Sequence, residues 1–195
     1  MNSLPIPPSG AVAGIYAATD RSSGIWTAPA NASLKGVVAP AVRLNSVQQG
    51  NLNVHYSGKS INVLRSFRGN GTMIWGARTL AGNDNEWRYI PVRRLFIQVE
   101  ETIKKAIEPY LFENNDRNTW VKIESLIYNY LTKLWRSAAL KGDSPKEAFF
   151  ISIGLGKTMT EQDVLEGRMI VEIGLAAVRP AEFIVLTITH LRDEA

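Results

Sequence analysis

Ile61–Leu80 reads INVLRSFRGNGTMIWGARTL, and its two halves decide what kind of fold the chain adopts. The runs Ile61–Phe67 and Thr72–Ala77 favour strands, and Arg68-Gly69-Asn70-Gly71 separates them. An Asn-Gly pair between two such runs predicts a β-hairpin, because the tight turn needs positive φ. The polar stretch Ala81–Glu86 (AGNDNE) then reads as an exposed loop. Upstream, residues 25–60 mix Pro29, Pro40, Gly36 and Gly50 with small apolar residues, which predicts short elements and loops. Residues 1–10, with Pro5, Pro7 and Pro8, read as an extended lead-in. Ala11–Ala17 is a short apolar stretch, followed by a turn at Asp20–Gly24.

Downstream the period changes from two to 3.6. After Pro91, which suits a first helical turn, the residues Val92, Leu95, Phe96, Val99, Ile103, Ala106 and Ile107 repeat at three and four. Glu100–Lys104 and Glu101–Lys105 add favourable pairs on the wet side, and Pro109 stops this helix. A second helix spans about Thr119 to Leu140, with Trp120, Ile123, Ile127, Leu131, Leu134 and Ala138 as its stripe and Gly142 as its stop. Trp120 falls in that stripe, whereas Trp135 lies off it, at a position suited to an interface. Ser144–Glu147 has the pattern of a capping box, and Thr160–Asp163 repeats it ahead of a short helix ended by Gly167. Phe149–Gly154, Met169–Val178 and Phe183–His190 read as strands. The order of elements predicts an α/β fold: a mixed sheet flanked by two main helices, with an extended C-terminal strand arm. The domain is expected at residues 1–178, with the arm at 179–195.

Composition excludes several function classes. The chain has 195 residues, 45% hydrophobic and 21% charged, the range of an ordinary folded domain. No run approaches the roughly 20 apolar residues that span a bilayer, so membrane insertion is not expected. The N-terminus lacks a basic, then apolar, leader pattern. With no cysteine there is no disulfide, thiolate metal site or cysteine nucleophile. A net charge of +4, scattered along the chain, does not predict nucleic-acid binding.

Motifs that resemble catalytic or ligand sites fail on spacing. Gly154-Leu155-Gly156-Lys157-Thr158 lacks the first glycine of a phosphate loop, since that position is Ile151. Gly69-x-Gly71 lacks its third glycine, because position 74 is Ile74. The only histidines, His55 and His190, accompany no Gly-x-Ser-x-Gly elbow and no H-E-x-x-H pattern. Asn83-Asp84-Asn85 lacks the glycine and the distal glutamate of a calcium loop. No cofactor, metal or catalytic residue is therefore expected, and an enzyme ranks as the third reading of the chain.

The last strand carries a positive signal. Phe183, Val185, Thr187 and Thr189 alternate with Ile184, Leu186, Ile188 and His190, so both faces are largely apolar or β-branched. Such a strand calls for cover on both sides and pairing along its edges. Arg179, Pro180, Ala181 and Glu182 interrupt regular structure before it and are assigned as a hinge. Two readings stay open on pattern alone. The strand completes a neighbour's sheet, or it forms an ordinary hairpin with residues 169–178.

Several blocks, in order along the chain, resemble the C-terminal part of the sheath protein of contractile phage tails and related injection systems. They are PPSGAVAGIYAATD (7–20), GIWTAPAN (24–31), INVLRSFRGNGTMIWGARTL (61–80), YIPVRRLFIQVEETI (89–103), FENNDRNTWVKI (112–123), LWRSAALKGDSPKEAFF (134–150) and MIVEIGLAAVRPAEFIVLTITH (169–190). The resemblance implies a structural subunit that stacks as hexameric discs around an inner tube and contracts without a nucleotide. It implies homo-oligomeric contacts through terminal arms, with Arg179 onward as the C-terminal arm, and further contacts with the tube, baseplate and terminator proteins. It also implies assembly in the cytoplasm and residence in a phage tail or contractile particle. Candidate tube contacts are Arg93, Arg94, Lys104, Lys105, Lys122 and Lys133; a solvated helix face explains the same charges. Only Met1–Ile6 precede the first matching block, so the chain is expected to be a fragment of a longer subunit or a short paralogue. Ser137 stands where the family leads one to expect glycine. The alternative function is a non-contractile adaptor or cap that docks onto a sheath.

Overall fold

The computed structural model describes residues 4–183, 185 and 186. Helix α1 (Ser9–Ser23) comes first. It absorbs both the apolar stretch and the turn expected at Asp20, and it stops at Gly24, whose φ of 88° lets the chain reverse. None of its residues is fully buried, but Val12, Ile15, Tyr16 and Thr19 are half-buried along one side. Strand β1 (Ala32–Ser33) and helix α2 (Ser46–Asn53) follow. Asn45 caps α2 reciprocally with Gln48.

The hairpin of β2 (Val63–Phe67) and β3 (Gly71–Trp75) forms in the register Leu64 to Ile74 and Phe67 to Gly71. Its positive φ angles fall on Gly69 and Gly71 rather than on Asn70. β1 pairs with the other edge of β3, which gives a three-stranded antiparallel sheet in the order β1-β3-β2. Strands β4 (Phe149–Ile153) and β5 (Val171–Leu175) form a second, separate antiparallel sheet. The single mixed sheet expected from the sequence is therefore corrected to two small antiparallel sheets. Pairing partners are set by distant contacts, which local patterns do not encode.

Helix α3 (Ile90–Ile107) has Pro91 in its first turn and passes into a 3₁₀ turn, Glu108–Tyr110, around Pro109. Helix α4 (Arg117–Arg136) is capped by Asp116, whose carboxylate accepts from the N–H groups of Asn118 and Thr119. The helix ends four residues earlier than its pattern predicts. Ala138 takes φ 59°, its N–H donates to the Trp135 carbonyl, and the Ala139 N–H donates to Leu134. This is a Schellman closure with alanine in the left-handed position that glycine normally fills. The left-handed conformation costs a non-glycine residue about 1–2 kcal/mol. Ala138→Gly is accordingly expected to raise the unfolding free energy by about 1 kcal/mol, offset in part by greater freedom of the unfolded chain. Urea unfolding at unchanged m-value checks it.

The core lies between α3, α4 and the second sheet. Leu95, Val99 and Ile103 of α3 pack with Ile123, Ile127, Leu131 and Leu134 of α4. Ala148, Phe149, Ile153 and Met159 close the far side. The phenolic ring of Tyr128 meets Phe149 edge-on at 5.5 Å. Trp120 and Trp135 are half-buried, and both indole N–H groups are satisfied within the chain, by Asn115 Oδ1 (2.7 Å) and the Gly142 carbonyl (2.8 Å).

Two further helices frame β4. The single turn α5 (Pro145–Ala148) has no side-chain cap: Glu147 Oε2 accepts from the Asp143 N–H, so the capping box expected at Ser144 does not form. Helix α6 (Glu161–Leu165) does carry the expected box between Thr160 and Asp163, and Gly167 follows it at φ 72°. The glycines of the 154–158 stretch make the tight connection from β4 to α6. There Thr158 Oγ1 donates to the Ile170 carbonyl and the Gly156 N–H to Met159. Among the described residues no helix is long and apolar enough to cross a membrane.

Candidate functional site: the root of the C-terminal arm

Beyond β5 the chain stays bound to its own domain for a few residues. The Ala176 N–H donates to Ala148, the Lys141 N–H to Ala176 and the Val178 N–H to Ala139. Then comes the stretch Arg179–Glu182, which breaks the ladder through Pro180. The side chain of Glu182 ends in a built receptor. Arg78 donates from Nε to both carboxylate oxygens (3.1 and 3.0 Å) and from Nη2 to Oε2 (2.6 Å). Asn53 Nδ2 donates to Oε1 at 2.8 Å, and the Tyr89 hydroxyl approaches Oε2 at 3.4 Å.

The receptor is assembled from distant parts of the sequence. Arg78 is only 4% exposed, and its Nη1 donates to the Gly82 carbonyl at 3.0 Å. Its main chain is fixed by Asn62, which accepts from the Arg78 N–H (2.9 Å) and donates to the Arg78 carbonyl (2.8 Å). Ser60 Oγ donates to the Asn53 carbonyl at 2.6 Å. Gly82 is required here, because a Cβ at that position would lie 1.9 Å from Ser60 Oγ and 2.9 Å from its main-chain nitrogen. A cavity of about 530 Å³ adjoins the ion pair, lined by Trp75, Ala77, Tyr89, Pro180 and Phe183 among others.

Burial pushes the Glu182 carboxyl up, but hydrogen bonds from Arg78 and Asn53 and the charge of Arg78 outweigh it. The group is held below the ordinary value of 4.5. A depressed carboxylate contributes stability that is complete above its unfolded value and is lost as pH falls through its folded value. The charged and titratable groups facing it are Arg78 and Tyr89. Attachment of residues 179–182 is thus expected to hold above the ordinary carboxylate value of 4.5 and to loosen as pH falls below it. Limited proteolysis on either side of that value with an acid-active protease checks it.

The remaining predicted residues fall in two groups. Phe183, Val185 and Leu186 are 70%, 89% and 79% exposed and belong to no strand. The hairpin with residues 169–178 is not formed by these three. Ile184, Thr187, Ile188, Thr189 and His190 lie outside the described residues. Of the basic candidates, Arg94 is already engaged. It makes a two-pronged pair with Asp20 (2.8 and 2.6 Å) and sits 5.0 Å from the Tyr16 ring, tying α1 to α3. Lys104 pairs with Glu100 at 2.7 Å, and Arg93 lies 4.9 Å from the ring of Trp87. Arg93, Lys105, Lys122 and Lys133 are exposed and form no ion pair among the described residues. His55 Nδ1 contacts Ser57 Oγ at 2.7 Å and accepts the Ser57 N–H, a local turn. Among the described residues no three acidic or histidine side chains cluster for a metal.

Sequence reasoning missed Arg78, Asn53, Gly82 and Tyr89. The signal available was an arginine directly after a hydrophobic strand, which local pattern does not connect to a glutamate 104 residues away.

Comparison with known proteins places this architecture. A family described as "Phage tail sheath C-terminal domain" matches residues 82–190. The tail sheath protein of Vibrio phage KVP40 is 34% identical over 132 residues, 66% of this chain and 19% of that protein. The tail sheath protein of Enterobacteria phage T4 is 27% identical over 129 residues, 65% of this chain and 19% of its own. Among solved structures, a chain of the anti-feeding prophage baseplate is 48% identical with a TM-score of 0.90, covering 96% of this chain and 51% of that one. A chain of the PVC sheath complex, an extracellular contractile injection system in its contracted state, is 47% identical with a TM-score of 0.90, covering 96% and 52%. The chain spans about half the length of these solved chains and about a fifth of the curated relatives it matches. Fold, order of blocks and family match agree: the chain belongs to the phage tail sheath family and carries its C-terminal domain.

Proposed function

We propose that this chain is the C-terminal domain of a structural subunit of a contractile tail sheath, linked to its neighbours by exchange of the C-terminal strand. The observation that carries this reading is the exposure of Phe183, Val185 and Leu186, together with a sheet of only two strands elsewhere in the domain. Among the described residues β4 pairs only with β5, and β5 only with β4, along Val171–Leu175. Two strands alone make a marginal sheet, so an added strand gains backbone hydrogen bonds at either open edge. The apolar residues of the arm gain cover at the same time. Stacked hexameric rings around an inner tube, and contact with baseplate and terminator proteins, complete the proposal. The particle is a phage tail or an extracellular contractile device.

Contact with the tube falls to the basic residues that form no ion pair among the described residues: Arg93 and Lys105 on α3, Lys122 and Lys133 on α4. A tube surface of opposite sign binds them through long-range attraction that salt screens. Reversing Arg93 and Lys105 together is expected to weaken binding to an acidic tube protein at least tenfold at about 0.1 M salt, and less at 0.5 M. Sedimentation with purified tube measures it, and unchanged binding contradicts the assignment. Arg94→Glu serves as the contrast, since it breaks the Asp20 pair and detaches α1.

A further inference from the structure

We propose that Arg78 is a socket for Glu182 of the same chain, so that residues 179–182 anchor the root of the arm. This rests on the strand-exchange reading and is set against the hinge assigned to Arg179, Pro180, Ala181 and Glu182.

Three observations carry it. First, the last main-chain hydrogen bond holding this end is from Val178 to Ala139. From there to Phe183 the hydrogen bonds to the domain among the described residues all go to the Glu182 side chain, from donors on three residues. Second, the socket is rigid and buried. A guanidinium at 4% exposure with two of its donor groups facing Glu182 is costly unless a carboxylate fills it. Asn62 and the Gly82 carbonyl hold it in place from the opposite side. Third, exposure rises just past the pair: Glu182 is 19% exposed, while Phe183 is 70% exposed and Val185 89%. An arm fixed at its root leaves the domain in one direction. That direction limits which neighbour's sheet it reaches, and a charged two-pronged pair holds it better than main-chain contacts through proline.

The test is a set of ¹⁵N order parameters on the dispersed chain. An anchor predicts values near 0.85 through Glu182 and below about 0.6 at Phe183, Val185 and Leu186. Glu182→Ala moves that break back to Arg179, while the amides of α3 and α4 keep their wild-type values. Glu182→Gln, which retains the acceptor for Asn53 and one for Arg78, falls between. Values that already drop at Arg179 in the wild type, or that do not change in Glu182→Ala, overturn the proposal. Dilution tenfold separates the two sources of the carboxylate: rigidity that persists means the chain's own Glu182, and rigidity that fades means a neighbour's and overturns it. None of these readings requires assembly. If the anchor is present but particles form without residues 183–195, strand exchange fails and the anchor stands.

Discussion

Removal of Phe183–Ala195 is expected to leave the domain folded and to abolish assembly. The two effects separate because the deleted residues contribute to different equilibria. Phe183, Val185 and Leu186 are largely exposed, so cutting them uncovers no core. Glu182 remains, and Arg78 keeps its carboxylate. The core of Leu95, Ile123, Ile127 and Leu131 lies elsewhere. The melting temperature should therefore shift by no more than about 2–4 °C, the response to roughly 1 kcal/mol in a domain of this size. Assembly depends on the same residues quite differently. An added strand of eight residues supplies a ladder of main-chain hydrogen bonds and two apolar faces, repeated at every contact of a polymer. Losing it at each contact removes ordered particles altogether. Circular dichroism melts and negative-stain microscopy of the deletion read the two halves separately. Particles of normal appearance would contradict strand exchange, and a broad, non-cooperative melt would show that the arm belongs to the fold.

Ile127→Ala is expected to cost about 3–4 kcal/mol of stability. Ile127 is fully buried in the middle of α4, between α3 and the second sheet. Truncating it loses the transfer free energy of three carbons and leaves a cavity that rigid neighbours on α3 and β4 cannot fill; large-to-small changes of this kind cost about 2–5 kcal/mol. Against a total of about 5–15 kcal/mol for a domain, the variant should show a clearly lowered denaturation midpoint at unchanged m-value. An exposed residue of the same helix gives the contrast. Val121→Ala should change stability by less than about 0.5 kcal/mol, because Val121 already faces water. Equal costs at the two positions would mean that α4 does not face the core as described.

The helices and the hairpin were legible because their signals are local. The repeat from Val92 to Ile103 and from Ile123 to Leu134 states which face is buried, and Arg68–Gly71 states where the chain turns. Helix α1 gave only a weak signal, since its side from Val12 to Thr19 is half-buried at most and the Asp20–Arg94 pair ties it to α3. The end of α4 was misplaced because an alanine, Ala138, occupies the left-handed position where a glycine would have announced the stop. The division into two sheets was hidden because β1 has only two residues and pairs across 40 positions with β3. For the arm, the alternation from Phe183 to His190 was legible, but the strand it predicts falls largely outside the described residues, and Phe183, Val185 and Leu186 belong to no strand. The Arg78–Glu182 pair was not legible, because a local Arg-Pro-Ala-Glu pattern carries no sign of an arginine 104 positions away.

Hydrogen exchange across residues 183–190, compared between the dispersed chain and particles assembled with the inner tube, tests strand exchange most directly. Pairing with a neighbour's sheet is predicted to slow these amides by about a hundredfold or more on assembly, with slowing on alternate amides along one edge of β4 or β5 as well. Equal exchange of residues 183–190 in both states would contradict strand exchange and leave the sheath built by contacts between domain surfaces alone.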